Sequence, residues 1–356
     1  MRISGKRHLL ITGGRGSGKS TLLRLLFPEA LPGITTSATP REAVYLRENT
    51  SGQCIKIGIY CEILPGQENK MLPICDGFSA LGVQALSRCL SSNSEWITID
   101  EIGYLESCCE EYTEAIRKVM QEKRVAAVVR KQALPFLDEL LARQDVFIVD
   151  LDAPFGSCGC VIMASGEGKR FGSNKLMADF CGMPLIGHAL AATQGIFSSR
   201  IVVTRHEDVA ALCRDLGADV LVHDLPSRSD TVRLGLEALS GVDRCLFCPG
   251  DQPLLRRETV AALALCALND PASIWRPAFH GQEGAPVMFP QWAFPQLSSL
   301  PNGKGGSMVV RANRCSVRTL PLFDAAELAD ADTPDDLIRL AAHYPQRTPI
   351  RTNALP

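Results

Sequence analysis

Two glycine-rich loops, roughly 150 residues apart, carry residue types that bind phosphate. The first, Gly13-Gly14-Arg15-Gly16-Ser17-Gly18-Lys19-Ser20, follows the apolar run Leu9-Leu10-Ile11-Thr12. Its glycines let backbone N–H groups converge on phosphates, Lys19 reaches the terminal ones, and the Ser20 hydroxyl at a helix N-terminus can ligate Mg²⁺. Its partner is Glu95 to Gly103, an apolar run that ends in Asp100 and Glu101. A carboxylate at a strand end holds the metal, and a second beside it orients the attacking water. Lys19 and Glu101 are therefore expected to be catalytic, with Ser20 and Asp100 as metal donors. That chemistry is hydrolysis of a nucleoside triphosphate.

The second loop is Ala164-Ser165-Gly166-Glu167-Gly168-Lys169-Arg170-Phe171-Gly172, with Lys175 three residues on. It lacks the Gly-Lys-Ser ending and so is not another P-loop. Ala164, Ser165, Gly166 and Gly168 allow close approach of backbone to a nucleotide, Ser165 and Gly166 near a base or ribose, while Arg170 and Lys175 neutralise triphosphate charge. Farther on, Cys248-Pro249-Gly250-Asp251-Gln252-Pro253 puts another carboxylate at a strand end, where Asp251 can bind Mg²⁺ bridging phosphates. One pocket needs one loop. Two loops imply two nucleotide-handling domains joined end to end.

The elements that must position these residues alternate as short aliphatic strands and amphipathic helices. Strands are expected at His8–Thr12, Val125–Val129 and Cys160–Ala164, and helices at Ser20–Phe27, Glu111–Lys123, Val209–Leu216, Thr231–Leu239 and Asp335–His343. Such alternation gives α/β architecture: two doubly wound, mainly parallel-sheet domains with ligands at the carboxyl ends of strands. The turn-rich stretch Asp150 to Cys160 marks the junction. Domains are expected at 1–153 and 158–345, followed by a disordered tail at 346–356. A chain of 356 residues is about right for two domains.

Composition restricts the partners. A net charge of −2 leaves no electrostatic footprint for nucleic acid. No stretch approaches the roughly 18 apolar residues of a membrane span, and Leu9–Thr12 is too short for a secretory core, so a cytoplasmic protein is expected. The 14 cysteines are expected to be reduced. Cys245 and Cys248 read as buried strand residues rather than metal ligands, since no second pair stands at zinc spacing. None of the six histidines shows ligand spacing.

The residues then support two resemblances. The P-loop, Asp100-Glu101-Ile102-Gly103 and Pro32-Gly33-Ile34-Thr35-Thr36 together resemble the small P-loop nucleoside-triphosphatase family first described from thermophiles. That resemblance implies a P-loop NTPase fold and slow hydrolysis of ATP or GTP, with Thr35 or Thr36 near Mg²⁺ and Arg130 near the phosphates. Residues 159–340 resemble the molybdenum cofactor cytidylyltransferase and guanylyltransferase family, the MobA-like NTP transferases. The likeness is carried by the second loop, Gly250-Asp251-Gln252-Pro253, Gly284-Ala-Pro286-Val287 and Asp330-Ala-Asp332-Thr333-Pro334. It implies a Rossmann-like nucleotidyltransferase fold. It also implies attack of the terminal phosphate of molybdopterin on the α-phosphorus of an NTP, with loss of pyrophosphate, and a molybdenum hydroxylase as a downstream partner.

Within that family Leu-Ala-Gly-Gly marks guanylyl and Leu-Ala-Ala-Gly cytidylyl transfer, so Met163-Ala164-Ser165-Gly166 points to CTP. Two departures bear on the acceptor: Asn302-Gly303-Lys304-Gly305 replaces Gly-Asp-x-Gly, and Ser227-Arg228-Ser229-Asp230-Thr231 replaces a serine-rich turn. A sugar phosphate or other phosphorylated acceptor stays open, as does a nucleotide-switched binding role for the first domain.

Overall fold

A computed structural model places the run before the first loop in strand β1 (His8–Thr12), buried along its whole length. The structure describes residues 6–61, 70–166, 171, 174–239 and 241–344. Gly168, Arg170 and the tail at 346–356 lie outside the described residues. The chain divides into two compact units, Met1–Ala153 and Pro154–Pro356.

In the first unit β1 lies between β7 (Arg124–Val129) and β8 (Val146–Asp150), parallel to both. A central strand covered on both faces must be apolar throughout, which is why it reads as an unbroken Leu-Leu-Ile run. The other strands are β2 (Gly33–Thr39), β3 (Ala43–Glu48), β4 (Cys54–Cys61), β5 (Lys70–Pro73) and β6 (Trp96–Ile102). Their order is β5-β4-β3-β2-β6-β7-β1-β8. From β2 to β8 all pairs are parallel, and β3, β4 and β5 extend one edge as an antiparallel meander that the strand–helix alternation does not announce.

Helix α1 (Lys19–Leu26) follows the P-loop, and α2 (Glu110–Glu122) turns Tyr112, Ile116, Val119 and Met120 into the core at helical spacing.

The second unit contains β9 (Cys158–Ala164), β10 (Ser199–Thr204), β11 (Asp219–Val222) and β12 (Arg244–Pro249). It continues with β13 (Ile274–Phe279), β14 (Gln282–Glu283), β15 (Val287–Pro290) and β16 (Val317–Pro321). The order is β11-β10-β9-β12-β15-β13-β14, with β16 beside β13. Strands β11, β10, β9 and β12 are parallel, while β15 runs antiparallel to β12 and to β13. Both units are thus α/β, with sheets in which parallel pairing dominates around the glycine loops.

Helices α3 (Glu207–Asp215), α4 (Arg228–Ala238) and α5 (Pro334–Ala341) complete the set used below. All five helices begin one to three residues before the start expected from the apolar stripe. Their first turns are polar, as capping and the helix dipole favour, and polar residues fall outside a hydrophobic pattern.

Cys245 and Cys248 are buried in β12, and burial pushes the Cys248 thiol up to about 12. Among the described residues no three His, Cys, Asp or Glu side chains are grouped to hold a metal. The two cysteines are core residues. No described helix is long and apolar enough to cross a membrane.

Candidate active sites

The P-loop joins the end of β1 to α1 through Gly18, whose φ of 88° is left-handed and costly for any residue with a Cβ. Lys19 Nζ donates to the carbonyls of Gly13 and Gly14 at 3.0 and 2.8 Å. Ser20 Oγ donates to Asp100 Oδ1 at 2.8 Å, so the start of α1 and the end of β6 meet where the two motifs were expected to cooperate. Burial raises the pKa of Asp100, opposed by that hydrogen bond. A buried carboxylate of this kind gains from a cation at its side. Arg15 is exposed, and the Ser17 hydroxyl is buried without a hydrogen-bond partner.

Strand β6 bulges here: Asp100 pairs with Val128 and Ile102 with Val129, leaving Glu101 out of register. Glu101 is held by an ion pair with Arg130, and its N–H donates to Thr36 Oγ1 at 3.1 Å. Gly103 makes room for that arginine, since a Cβ there would stand 2.7 Å from Arg130 Cδ. The Thr35 hydroxyl donates to Asn49 Oδ1 at 2.8 Å. Arg130 and the two threonines are therefore engaged with neighbouring protein groups.

Sequence reasoning missed two carboxylates around this site. Asp152 accepts the Gly14 N–H at 3.0 Å and Lys131 Nζ at 3.1 Å. It sits in the turn-rich junction, where composition signals only a loop.

The other is Glu106, which accepts the Gly103 N–H at 2.8 Å and is buried, so its pKa rises to about 7. The folded unit thus keeps this proton up to about pH 7, whereas the unfolded chain releases it near its ordinary 4.5. Stability is lost as pH rises from about 4.5 to about 7 and then stays low. Glu106→Gln keeps an acceptor for Gly103 and cannot ionise. It is expected to be stabilising by on the order of 2 kcal/mol above pH 7, with little effect near pH 4.5. Thermal melts at pH 5 and 8 check this, and an equal shift at both would contradict it.

In the second unit a cavity of about 900 Å³ opens at the carboxyl ends of β9 and β12. Lys175 lies between two carboxylates, donating to Asp251 Oδ2 at 2.6 Å and Asp332 Oδ1 at 2.8 Å. Those charges together raise its pKa, although burial, the largest single influence, works against them. Asp251 and Asp332 meet because Ala331 N–H donates to the Asp251 carbonyl at 2.9 Å and Gln252 Nε2 to Asp330 Oδ1 at 3.0 Å. The segment 330–332 precedes α5, and its acids were legible as a motif but not as members of the site.

Ser165 and Gly166 line the same cavity, with Ala164 buried just before them. Two histidines that show no spacing pattern hold this loop. His206 Nε2 lies 2.9 Å from the Gly166 carbonyl, and His223 Nε2 lies 3.0 Å from Ser165 Oγ. Nothing within a few residues of either histidine signals these contacts, because they depend on the order of β9, β10 and β11.

Each unit thus brings a glycine-rich loop, a lysine and a carboxylate to the carboxyl ends of parallel strands, and each half of the chain matches a family of nucleotide-handling proteins. Residues 160–317 match the model of the MobA-like NTP transferase domain, and residues 44–154 match the NTPase family model. The NTPase match begins beyond the P-loop and takes in Asp100 to Gly103. The chain is 38% identical over 115 residues to the bifunctional enzyme IspD/IspF of Rhodobacter capsulatus, covering 31% of this chain and 30% of that relative. It spans under a third of that relative's length. The nucleoside-triphosphatase THEP1 of Thermotoga sp. (strain RQ2) is 28% identical over 159 residues, covering 40% of this chain and 86% of the relative. Among solved structures, Rv0371c of Mycobacterium tuberculosis is 24% identical with a TM-score of 0.47, covering 52% of this chain and 99% of that one.

Proposed function

We propose that the second unit transfers a cytidylyl group from CTP to the terminal phosphate of molybdopterin, releasing pyrophosphate, and that the first hydrolyses ATP or GTP slowly. The two activities are assigned to domains at 158–345 and 1–153 of a cytoplasmic protein that serves the maturation of molybdenum hydroxylases. The observation that carries the reading is Lys175 between Asp251 and Asp332 beside the Ser165–Gly166 loop.

A phosphate oxygen of the acceptor forms the new bond to the α-phosphorus, and the bond from that phosphorus to the β-phosphate oxygen breaks. The acceptor is already anionic near neutral pH, so no side-chain base is required; positioning and charge neutralisation suffice. Lys175 is held where it can turn from its carboxylates to the phosphates, and Arg170 is assigned the same task from the sequence. Gly168 is assigned backbone approach. Mg²⁺ supplies charge neutralisation at the phosphates when bound. Asp251 would hold it here, and Ser20 and Asp100 in the first unit. All are hard oxygen donors suited to magnesium, and the Lys175 ammonium already stands as a cation against Asp251.

The test is to incubate the protein with Mg²⁺ and molybdopterin, offering CTP, GTP and ATP separately, and to read pyrophosphate and the pterin dinucleotide by mass. Dinucleotide chiefly from CTP is the expected result. No dinucleotide from a folded protein that still binds nucleotide would move the acceptor to another phosphorylated metabolite.

A further inference from the structure

Ser165 carries a hydroxyl in a slot that lines the nucleotide cavity, yet that hydroxyl is turned into the sheet. Its Oγ donates to the Val203 carbonyl of β10 at 3.1 Å. A hydroxyl has one proton and a carbonyl can only accept, so His223 Nε2 at 3.0 Å must be the donor to Ser165 Oγ. That fixes the ring with its proton on Nε2. Thr231 Oγ1 at the start of α4 lies 3.4 Å from the same nitrogen, and the His223 N–H donates to the Thr204 carbonyl at 3.1 Å. The ring thus lies between Ser165 and the start of α4, and its backbone is tied to the carboxyl end of β10. Burial, followed by the charge of Arg205, lowers its pKa and favours the neutral form.

With its proton given to Val203 and a lone pair taken by His223, the Ser165 hydroxyl has no proton left to donate to a ligand. What it can offer the cavity is its methylene and one remaining lone pair. We propose that His223 is a positioning residue for base selection: it holds the Ser165 hydroxyl with its proton turned away from the cavity, so that this wall offers a base no hydroxyl donor. The inference rests on the reading of this cavity as a nucleotide site. Without His223 the hydroxyl can swing to the cavity and donate to an acceptor on the edge of a guanine, which the donor-free wall leaves unpaired.

The experiment measures equilibrium binding of CTP and GTP to the full chain carrying Lys19→Ala, which weakens the first site, and fits the two classes of site separately. Adding His223→Ala is expected to lower the CTP-to-GTP affinity ratio about tenfold, the order of one hydrogen bond to a base. Adding Ser165→Ala to His223→Ala is expected to return the ratio, because no hydroxyl is left to misplace. His223→Gln, which keeps a donor, should hold the ratio better than alanine.

A purely structural role for His223 would leave the ratio low after Ser165→Ala, and that result overturns the proposal. So does an unchanged ratio in His223→Ala, with thermal unfolding confirming a folded protein. Failure of either nucleotide to bind before His223 is altered would instead overturn the nucleotide-site reading itself.

Discussion

Asp251→Asn is expected to cut nucleotidyl transfer by about a thousandfold or more, the scale of losing a preorganised charge at a phosphoryl-transfer centre. NTP hydrolysis by the first unit should stay within about twofold, since that activity is proposed for a separately built site. The substitution is nearly isosteric. The carboxylate lies at the end of β12 with Lys175 at 2.6 Å, and its backbone carbonyl still accepts from Ala331. Lys175 keeps Asp332 as a partner, so the cavity should survive while its anionic metal donor does not. The loss should fall mainly on kcat, because the charge acts where phosphate charge shifts during bond exchange. Dinucleotide by mass and free phosphate from ATP, measured on the same preparation, separate the two units. Transfer retained within tenfold would remove Asp251 from the chemistry.

What was legible in the sequence follows how local each feature is. The P-loop holds its backbone donors, Lys19 and Ser20 within eight consecutive residues, and β1, β6, β9 and β12 are buried strands that read as apolar runs. Strand β3 is largely buried but short and mixes Arg47 and Glu48 with its apolar residues, while β4 and β5 are mostly exposed or half-buried, so none of the three gives such a signal. Lys175 and Asp251 were each found as members of short motifs, yet their pairing across 76 residues, and with Asp332 across 157, is a fact of topology. It exists because β9 and β12 are neighbours and the segment before α5 is bonded to the end of β12. His223 marks the limit of local reading. Its partner Ser165 is 58 residues away, and the contact appears only once β9, β10 and β11 lie side by side.

Lys19→Ala should reduce NTP hydrolysis by at least about a hundredfold while leaving dinucleotide formation near wild type. Lys19 now donates to the carbonyls of Gly13 and Gly14, neutral acceptors that hold it beside the loop without committing its charge. Phosphate oxygens compete well against them, because their negative charge adds a Coulombic attraction to the ammonium that a neutral carbonyl lacks. The expected motion is therefore a swing of one ammonium over the nest formed by the loop amides. Ser20 and Asp100, 2.8 Å apart, remain in the variant, so nucleotide and metal should still bind, more weakly, and the deficit should be concentrated in turnover. Lys19→Arg is a sharper probe. It keeps the charge but cannot pack an ammonium-sized group against the loop carbonyls, and it should recover little activity. Single-turnover hydrolysis measured beside dinucleotide yield reads both units. If dinucleotide formation fell together with hydrolysis in Lys19→Ala, the first unit would be acting as a nucleotide-dependent switch on the second, and independent catalysis would give way to coupling between the sites.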